Sequence, residues 1–247
     1  MKRYLWSLSV VLIIFAFSSL CAAQDAAEPE KHFTGNLGAG FSTTGGNTDT
    51  ASFNISGELT YDPRTKNVMK FNGLYLRSSS NNEDTADRLS LGFRDEYSFS
   101  KRVFAYGAMG YLRDPFKDIS YLLNPQGGIG FKPILKDRIE LTLLAGAGSV
   151  WEKNPDVEVQ NSGTLNAGEN FLFKFSESAR LMQNFSALWK TGNFSDALYH
   201  FDIALVTSIT SRIEVKVEFI DDFKNVTPDP TIKKNDTAFI FSFLYKI

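Results

Sequence analysis

Two side chains that could do acid–base chemistry stand two positions apart in this sequence, at His200 and Asp202. An imidazole beside a carboxylate can act as a general base that activates water. Both residues alternate with the apolar residues Tyr199, Phe201 and Ile203, so in a β-strand they would share its polar face. The pair therefore defines one candidate function, which is hydrolysis.

No companion motif accompanies this pair, and packing and hydrogen bonding inside the fold is the simpler role for it. The glycine clusters at 38–46, 127–130 and 146–148 lack the Lys-Ser/Thr of a phosphate-binding loop. The Asp/Asn-rich segments 81–87 and 221–236 lack the spacing of a calcium-binding EF-hand loop. Two histidines and one cysteine supply few ligands for a soft metal ion. We therefore predict a protein that is not an enzyme, with no cofactor and no metal site.

In the segments that carry these residues, apolar and polar residues alternate with a period of two. Ile213, Val215, Val217 and Phe219 alternate with charged residues, and the stretch 239–247 repeats the pattern with aromatic side chains. Such alternation places one face of a strand in an apolar medium and the other in a polar one. Turn residues divide the chain into about twelve such segments, at 32–44, 48–62, 65–79, 86–100, 102–113, 118–132, 137–152, 163–176, 178–190, 196–209, 212–224 and 236–247.

These segments are long enough to cross a membrane, because a tilted membrane strand needs ~9–11 residues. Unpaired backbone groups cost several kcal/mol in hydrocarbon, so a sheet that crosses a membrane must close on itself. A soluble β-sandwich would explain the alternation equally well, but it explains less well the aromatic final segment and the connections described next. We predict an all-β fold, a closed antiparallel transmembrane β-barrel of about twelve strands that occupies residues 32–247.

The connections between these segments alternate in length. The short ones lie at 62–65, 100–102, 133–137, 176–178 and 208–211. The connections that alternate with these are longer and more polar, and they lie at 78–87, 114–120, 152–162, 190–196 and 225–235. The connection at 45–47 belongs to this second set but is short. Membrane barrels have short periplasmic turns and longer outer loops. An even number of strands then places both ends of the barrel in the periplasm.

Charged side chains recur on the polar face of the predicted strands. An Arg or Lys that faced lipid at mid-depth would cost ~2–4 kcal/mol, so this row must face the barrel interior. Because the charges have both signs, they either pair and plug the lumen or line a narrow aqueous path. With His200 and Asp202, the predicted lumen-lining residues are Glu58, Arg88, Arg94, Glu96, Glu140, Lys174, Arg180, Lys190, Glu214, Lys216 and Glu218.

The first residues have the features of an export signal. Lys2 and Arg3 precede an uncharged run at 4–23, which ends in Cys21-Ala22-Ala23, a fit to a signal-peptidase site. The run could also span a bilayer as a helix, but serines dilute it and an acidic segment follows. We predict a cleaved signal peptide at 1–23, a short periplasmic segment at 24–31, and a mature chain in the outer membrane of a Gram-negative type of cell.

Composition excludes two other classes of protein. The 26 Lys and Arg residues are balanced by 28 Asp and Glu residues, so there is no basic excess for nucleic acid. Aromatic residues make up 14% of the chain, far more than a disordered chain contains. The predicted partner is therefore the lipid of the outer membrane, and the oligomeric state stays open.

Four short segments resemble a known family. They are GGNTDT at 45–50, KRVFAY at 101–106, GGIGF at 127–131 and LAGAG at 144–148. They are similar to the family of salt-induced outer-membrane proteins, which is defined by a domain of unknown function. The resemblance covers nearly the whole mature chain and implies an outer-membrane β-barrel inserted by the barrel-assembly machinery. Family members typically end in an aromatic residue, where this chain has Ile247.

Three functions are consistent with these observations. The first is a narrow pore for small solutes or ions, or else an occluded barrel that supports the envelope under osmotic or salt stress. The second is a membrane-embedded hydrolase centred on His200 and Asp202. The third is a structural or adhesive barrel that acts through its outer loops at 152–162 and 225–235.

Overall fold

The computed structural model of the chain describes residues 32–45, 50–80, 83–227 and 233–247. The predicted signal peptide, the segment 24–31 and part of the connection at 45–47 lie outside the described residues. The described residues form twelve β-strands: β1 (Phe33–Gly45), β2 (Thr50–Tyr61), β3 (Asn67–Ser80), β4 (Glu83–Ser98), β5 (Val103–Asp114), β6 (Ile119–Leu135), β7 (Ile139–Lys153), β8 (Gln160–Lys174), β9 (Ala179–Lys190), β10 (Asn193–Ser208), β11 (Ile213–Lys224) and β12 (Asn235–Lys246).

The strands form one closed antiparallel barrel. Each strand pairs with its neighbours in sequence, and β1 pairs with β12 from Asn36 opposite Lys246 to Gly45 opposite Thr237. Closure leaves no free sheet edge, which is the condition for a sheet in hydrocarbon. The predicted fold class is confirmed, and every predicted segment agrees with its strand to within three residues at each end.

The two faces of the wall follow the predicted alternation. Most odd-numbered apolar side chains point outward, and Phe41, Phe53, Ile129, Phe239 and Phe243 each remain more than half exposed. Most even-numbered side chains point into the lumen. Ile119, which lies at a shift of register between β5 and β6, is a buried odd-numbered exception. An exposed apolar outer wall is what lipid would cover in a membrane. Among the described residues, no helix combines the length and apolar character needed to cross a bilayer.

Amphipathic aromatic residues lie on the outer wall near both ends of the strands. Tyr61, Tyr97 and Tyr245 lie near the end where β1 begins and β12 ends, which we call the periplasmic end. Near the opposite, outer end, the Trp189 Nε1–H donates to the Tyr199 hydroxyl at 3.1 Å. Such rings are half in water at a membrane interface, so these two groups suit the borders of the lipid-facing band.

The connections differ from the predicted alternation of short and long. The turns at the periplasmic end are short, but β3 and β4 continue to Ser80 and Glu83, and only residues 191–192 join β9 to β10. The long polar outer connections predicted at 78–87 and 190–196 are therefore wrong. Polar residues there continue the strand ladder beyond the lipid band, where both faces meet water and apolar alternation is not required.

Glycines on the inner wall make room for two large side chains of β5. A Cβ atom on Gly130 of β6 would overlap the ring of Phe104, and one on Gly146 of β7 would crowd the hydroxyl of Tyr106. Phe104 and Tyr106 are buried with Leu144 in one cluster. The glycine segments GGIGF and LAGAG thus shape the lumen by packing, which is a known use of glycine in strands.

Candidate functional site

The inner wall near the outer end carries an ion pair that crosses the lumen. Arg88 lies on β4 and Asp222 lies on β11, which are five strands apart around the barrel. Their side chains meet at 2.5 Å between Nη1 and Oδ2, and both are largely buried. A contact between strands that are not neighbours is possible only through the interior. The lumen is therefore bridged at this level.

His200 on β10 extends this bridge. Its Nδ1 lies 2.8 Å from Oδ1 of Asp222, and its Nε2 lies 3.2 Å from Oδ2 of Asp202. Asp202 also accepts a hydrogen bond from Asn184 at 2.8 Å. Of these two contacts, the one with Asp222 is a hydrogen bond and the one with Asp202 is a contact between charged groups. His200 is therefore engaged in the bridge on both sides of its ring.

A second bridge joins three strands through the carboxylate of Glu152. This side chain is 3% exposed and accepts from Lys190 of β9 at 3.0 Å and from Lys224 of β11 at 2.5 Å. Lys190 also contacts Asp196 at 2.7 Å. Because β7 and β11 are four strands apart, the Glu152–Lys224 pair also crosses the lumen. The charges at this level are therefore matched within the barrel.

An apolar cluster of buried side chains involves the strands β6 and β7. Ile119, Leu122 and Val150 from β6 and β7 are almost fully buried, and they pack against Leu198 of β10. Beside the cluster, Lys117 in the short helical turn Pro115–Lys117 reaches Asp236 of β12 at 3.0 Å. Apolar side chains that meet across a barrel exclude water. Side chains from several strands therefore meet inside the outer end of the lumen.

The charged residues near the periplasmic end are also paired. Arg180 of β9 donates two hydrogen bonds, at 2.8 and 2.7 Å, to Glu214 of β11. Lys246 lies 3.5 Å from the same carboxylate, and the Ser208 hydroxyl donates to it at 2.9 Å. Bidentate arginine–carboxylate pairs of this kind have well-defined geometry. They fix the inner wall across β9, β10 and β11.

The remaining predicted lumen residues pair with residues on the same strand or on a neighbouring strand, except Lys174. Glu96 accepts from Lys70 at 2.8 Å and lies 3.6 Å from Arg94, whose guanidinium also lies over the ring of Tyr106. The other contacts within this set are Glu140 with Lys132, Lys216 with Glu218, and Glu58 with Asn36. Among the described residues, Lys174 has no ion pair. All thirteen predicted residues have even numbers, and that all of them line the lumen stays a prediction.

Several pairing partners were not in the predicted set. They are Lys70, Lys132, Glu152, Asp196, Asp222, Lys224 and Lys246. All of them have even numbers, so the alternation contained a signal for them. Glu152 and Asp196 stood at the boundary between a predicted segment and an outer connection, and neither was included in the predicted charged row.

The polar side chains of the lumen do not assemble as a metal site in the described ranges. No group of three or more His, Cys, Asp or Glu residues there has a geometry that could hold a metal ion. Apart from Glu58, which accepts from Asn36, the acidic side chains named above lie against Lys, Arg or His. The arrangement is suited to pairing of charge across the lumen.

Comparison with known proteins places this barrel in a family. The family model for "Protein of unknown function, DUF481" matches residues 37–247. The Uncharacterized protein YdiY of Escherichia coli (strain K12) is 21% identical over 227 residues, which cover 90% of this chain and 86% of that protein. The predicted resemblance to a family with a domain of unknown function is confirmed.

Solved structures share the fold at very low sequence identity. The NanC porin has a TM-score of 0.59 at 6% identity, covering 85% of this chain and all of that chain. The translocator domain of the autotransporter NalP from Neisseria meningitidis has a TM-score of 0.54 at 9% identity, covering 98% of each chain. These neighbours show that the chain has the fold of outer-membrane β-barrels.

Proposed function

Because the chain belongs to the DUF481 family of proteins of unknown function and has the fold of outer-membrane barrels, we propose that it is a narrow pathway for small solutes or ions, held closed at its outer end. The observation that carries this proposal is the carboxylate of Glu152. It is buried between Lys190 and Lys224, and its pair with Lys224 crosses the lumen.

The size of the barrel fits a pathway that side chains can close. About eight strands leave an interior that side chains fill, whereas ~16–18 strands leave an open channel. Twelve strands lie between these limits, so the inward side chains decide whether the lumen conducts. Here the two bridges cross the lumen near its outer end, and Ile119, Leu122 and Val150 form a buried apolar cluster.

Closure at the outer end suits a role in the integrity of the envelope. A barrel that is packed near the outer medium would keep salt and solutes out until the bridges separate. The outer-membrane location agrees with the apolar outer wall and with the structural neighbours. The link to salt or osmotic stress comes from the family resemblance and stays a prediction, as does the absence of enzymatic activity.

Single-channel recording tests this proposal. The barrel is refolded, inserted into planar bilayers and compared with a variant in which Glu152, Lys190 and Lys224 are all alanine. We expect rare or unresolved openings for the natural sequence and frequent, larger openings for the variant. A substitution of Lys174 by alanine is the matched control, because Lys174 has no ion pair among the described residues.

Two outcomes would overturn the proposal. A steady, large conductance of the natural sequence would show that the outer end is open. An absence of current from the triple alanine variant, with correct insertion shown by its folded band on unheated gels, would show that these bridges do not control a pathway.

A further inference from the structure

The periplasmic end of the lumen contains a cavity of about 370 Å³ with basic walls. Its lining includes three lysines, Lys70, Lys101 and Lys132, and one carboxylate, that of Glu96. Phe104 forms part of its wall, and the Nζ of Lys132 lies 6.0 Å from the centre of that ring. The cavity lies at the opposite end of the barrel from the bridges of Glu152 and Asp222.

The charges at this cavity are only partly neutralised. Lys70 pairs with Glu96, yet the side chain of Lys70 is 43% exposed. The side chain of Glu96 is 8% exposed. The charge of Lys132 is matched by Glu140. Lys101 forms no ion pair or hydrogen bond through its side chain among the described residues. A positive charge is therefore available at the cavity wall.

A hydroxyl donor stands beside this charge. The Oγ of Ser100 accepts hydrogen bonds from the backbone N–H groups of Arg102 and Val103, at 3.3 and 3.1 Å. Because its lone pairs are used in this way, its own hydrogen is left to donate. Ser100 and Lys101 are neighbours in the turn at 99–102, and both line the cavity.

The surrounding turns add to the positive potential. The periplasmic turns at 62–66, 99–102, 136–138, 175–178 and 209–212 carry seven Lys or Arg residues and three Asp or Glu residues. Charge of one sign around a concave, partly apolar wall concentrates ions of the opposite sign. The whole rim therefore favours anions over cations.

The geometry points to a binding site for a small anion, a phosphate or carboxylate compound, in the cavity between Lys101, Lys70 and Phe104. Lys101 and Ser100 contact the anionic group, Lys70 contributes through its exposed ammonium, and the ring of Phe104 packs against an apolar part of the ligand. The ligand is a free solute, because the cavity lies on the inner face of the wall, away from lipid. The site goes beyond the proposed function, since a barrel closed at its outer end and an open one would both present it.

Titration calorimetry of the refolded full barrel in detergent tests the site, with inorganic phosphate and acetate as probes at constant ionic strength. We expect saturable binding of at least one probe. Removal of one partly exposed charge pair costs up to about 1 kcal/mol, so Lys101→Gln should weaken binding about fivefold. Comparing the affinity for phosphate with the affinity for acetate distinguishes a phosphate site from a carboxylate site.

Two further variants separate a site from a general effect of charge. Lys136→Gln removes the same charge from the same rim but outside the cavity, and we expect it to leave the affinity unchanged. Val68→Trp fills the cavity while every charge remains, and we expect it to abolish binding.

The proposal is overturned if neither probe binds with saturation, if Lys136→Gln weakens binding as much as Lys101→Gln, or if a folded Val68→Trp variant binds normally. Should Val68→Trp not refold, the comparison of the two lysine variants decides alone. Because no current is measured, these results are independent of whether the barrel conducts.

Discussion

Arg88 and Asp222 stand 134 residues apart in the chain, yet their side chains form an ion pair through the barrel interior. Asp222 also binds His200, so this carboxylate holds two cationic partners, whereas the only ion pair of Arg88 among the described residues is with Asp222. This asymmetry predicts that the two ends of the pair are not equally important for stability.

We expect Asp222→Asn to destabilise the barrel more than Arg88→Met does. Loss of Asp222 leaves Arg88 without its ion-pair partner and leaves His200 with Asp202 alone, whereas loss of Arg88 leaves Asp222 bound to His200. Breaking a buried pair from one side typically costs about 3–5 kcal/mol. Urea unfolding in lipid vesicles, followed by the emission of Trp151 and Trp189, measures both changes. Equal losses would contradict the shared role of Asp222.

A second prediction concerns the carboxylate of Glu152. In Glu152→Gln, Lys190 keeps Asp196 as its acceptor, but Lys224 loses its only ion-pair partner among the described residues. We expect a loss of about 3 kcal/mol in the free energy of unfolding. Adding Lys224→Met should restore more than half of it, because a buried pair can be replaced by apolar groups at little cost. If the double variant is less stable than the single one, the loss does not come from the unpaired lysine.

A third prediction tests which face of β12 meets lipid. Phe241 points outward near the middle of the strand, and Tyr245 points outward close to its periplasmic end. We expect Phe241→Arg to cost about 2–4 kcal/mol and Tyr245→Arg to cost about 0–1 kcal/mol, because the cost of a lipid-facing charge falls toward the interface. Unfolding in lipid vesicles provides the comparison. Equal costs would mean that the two positions share one environment.

The wall of this barrel could be predicted from the sequence because lipid imposes a strict pattern on it. Phe239, Phe241 and Phe243 must all face outward, and a shift by one residue would turn every one of them inward. The number of strands was predicted from the turn residues between the alternating segments, and the inner face predicted for the charged row rests on the alternation. The twelve segments agree with the strands for the same reason.

The contacts across the lumen could not be predicted in the same way. Which inward charge on β4 meets which charge on β11 depends on the tilt of the strands and the stagger between them, and alternation carries no information about either. Thus Arg88 was identified as lumen-lining, but its partner Asp222 was not. Glu152 was missed for a different reason: it stood at the boundary between the predicted segment 137–152 and the next connection, and the strand continues past it to Lys153.

A fourth prediction distinguishes the two kinds of glycine in the wall. A Cβ atom on Gly130 would overlap the ring of Phe104, whereas one on Gly107 would meet nothing within 4 Å. Gly130→Ala should therefore cost about 1–3 kcal/mol, as overpacking does. Gly107→Ala should be neutral or stabilise by about 0.4–1 kcal/mol, because alanine restricts the unfolded chain. Combining Gly130→Ala with Phe104→Leu should recover part of the loss, since the smaller side chain vacates the space that the new methyl group needs. Urea unfolding in vesicles measures all three variants, and a Gly130→Ala barrel as stable as the natural one would show that the ring moves aside freely.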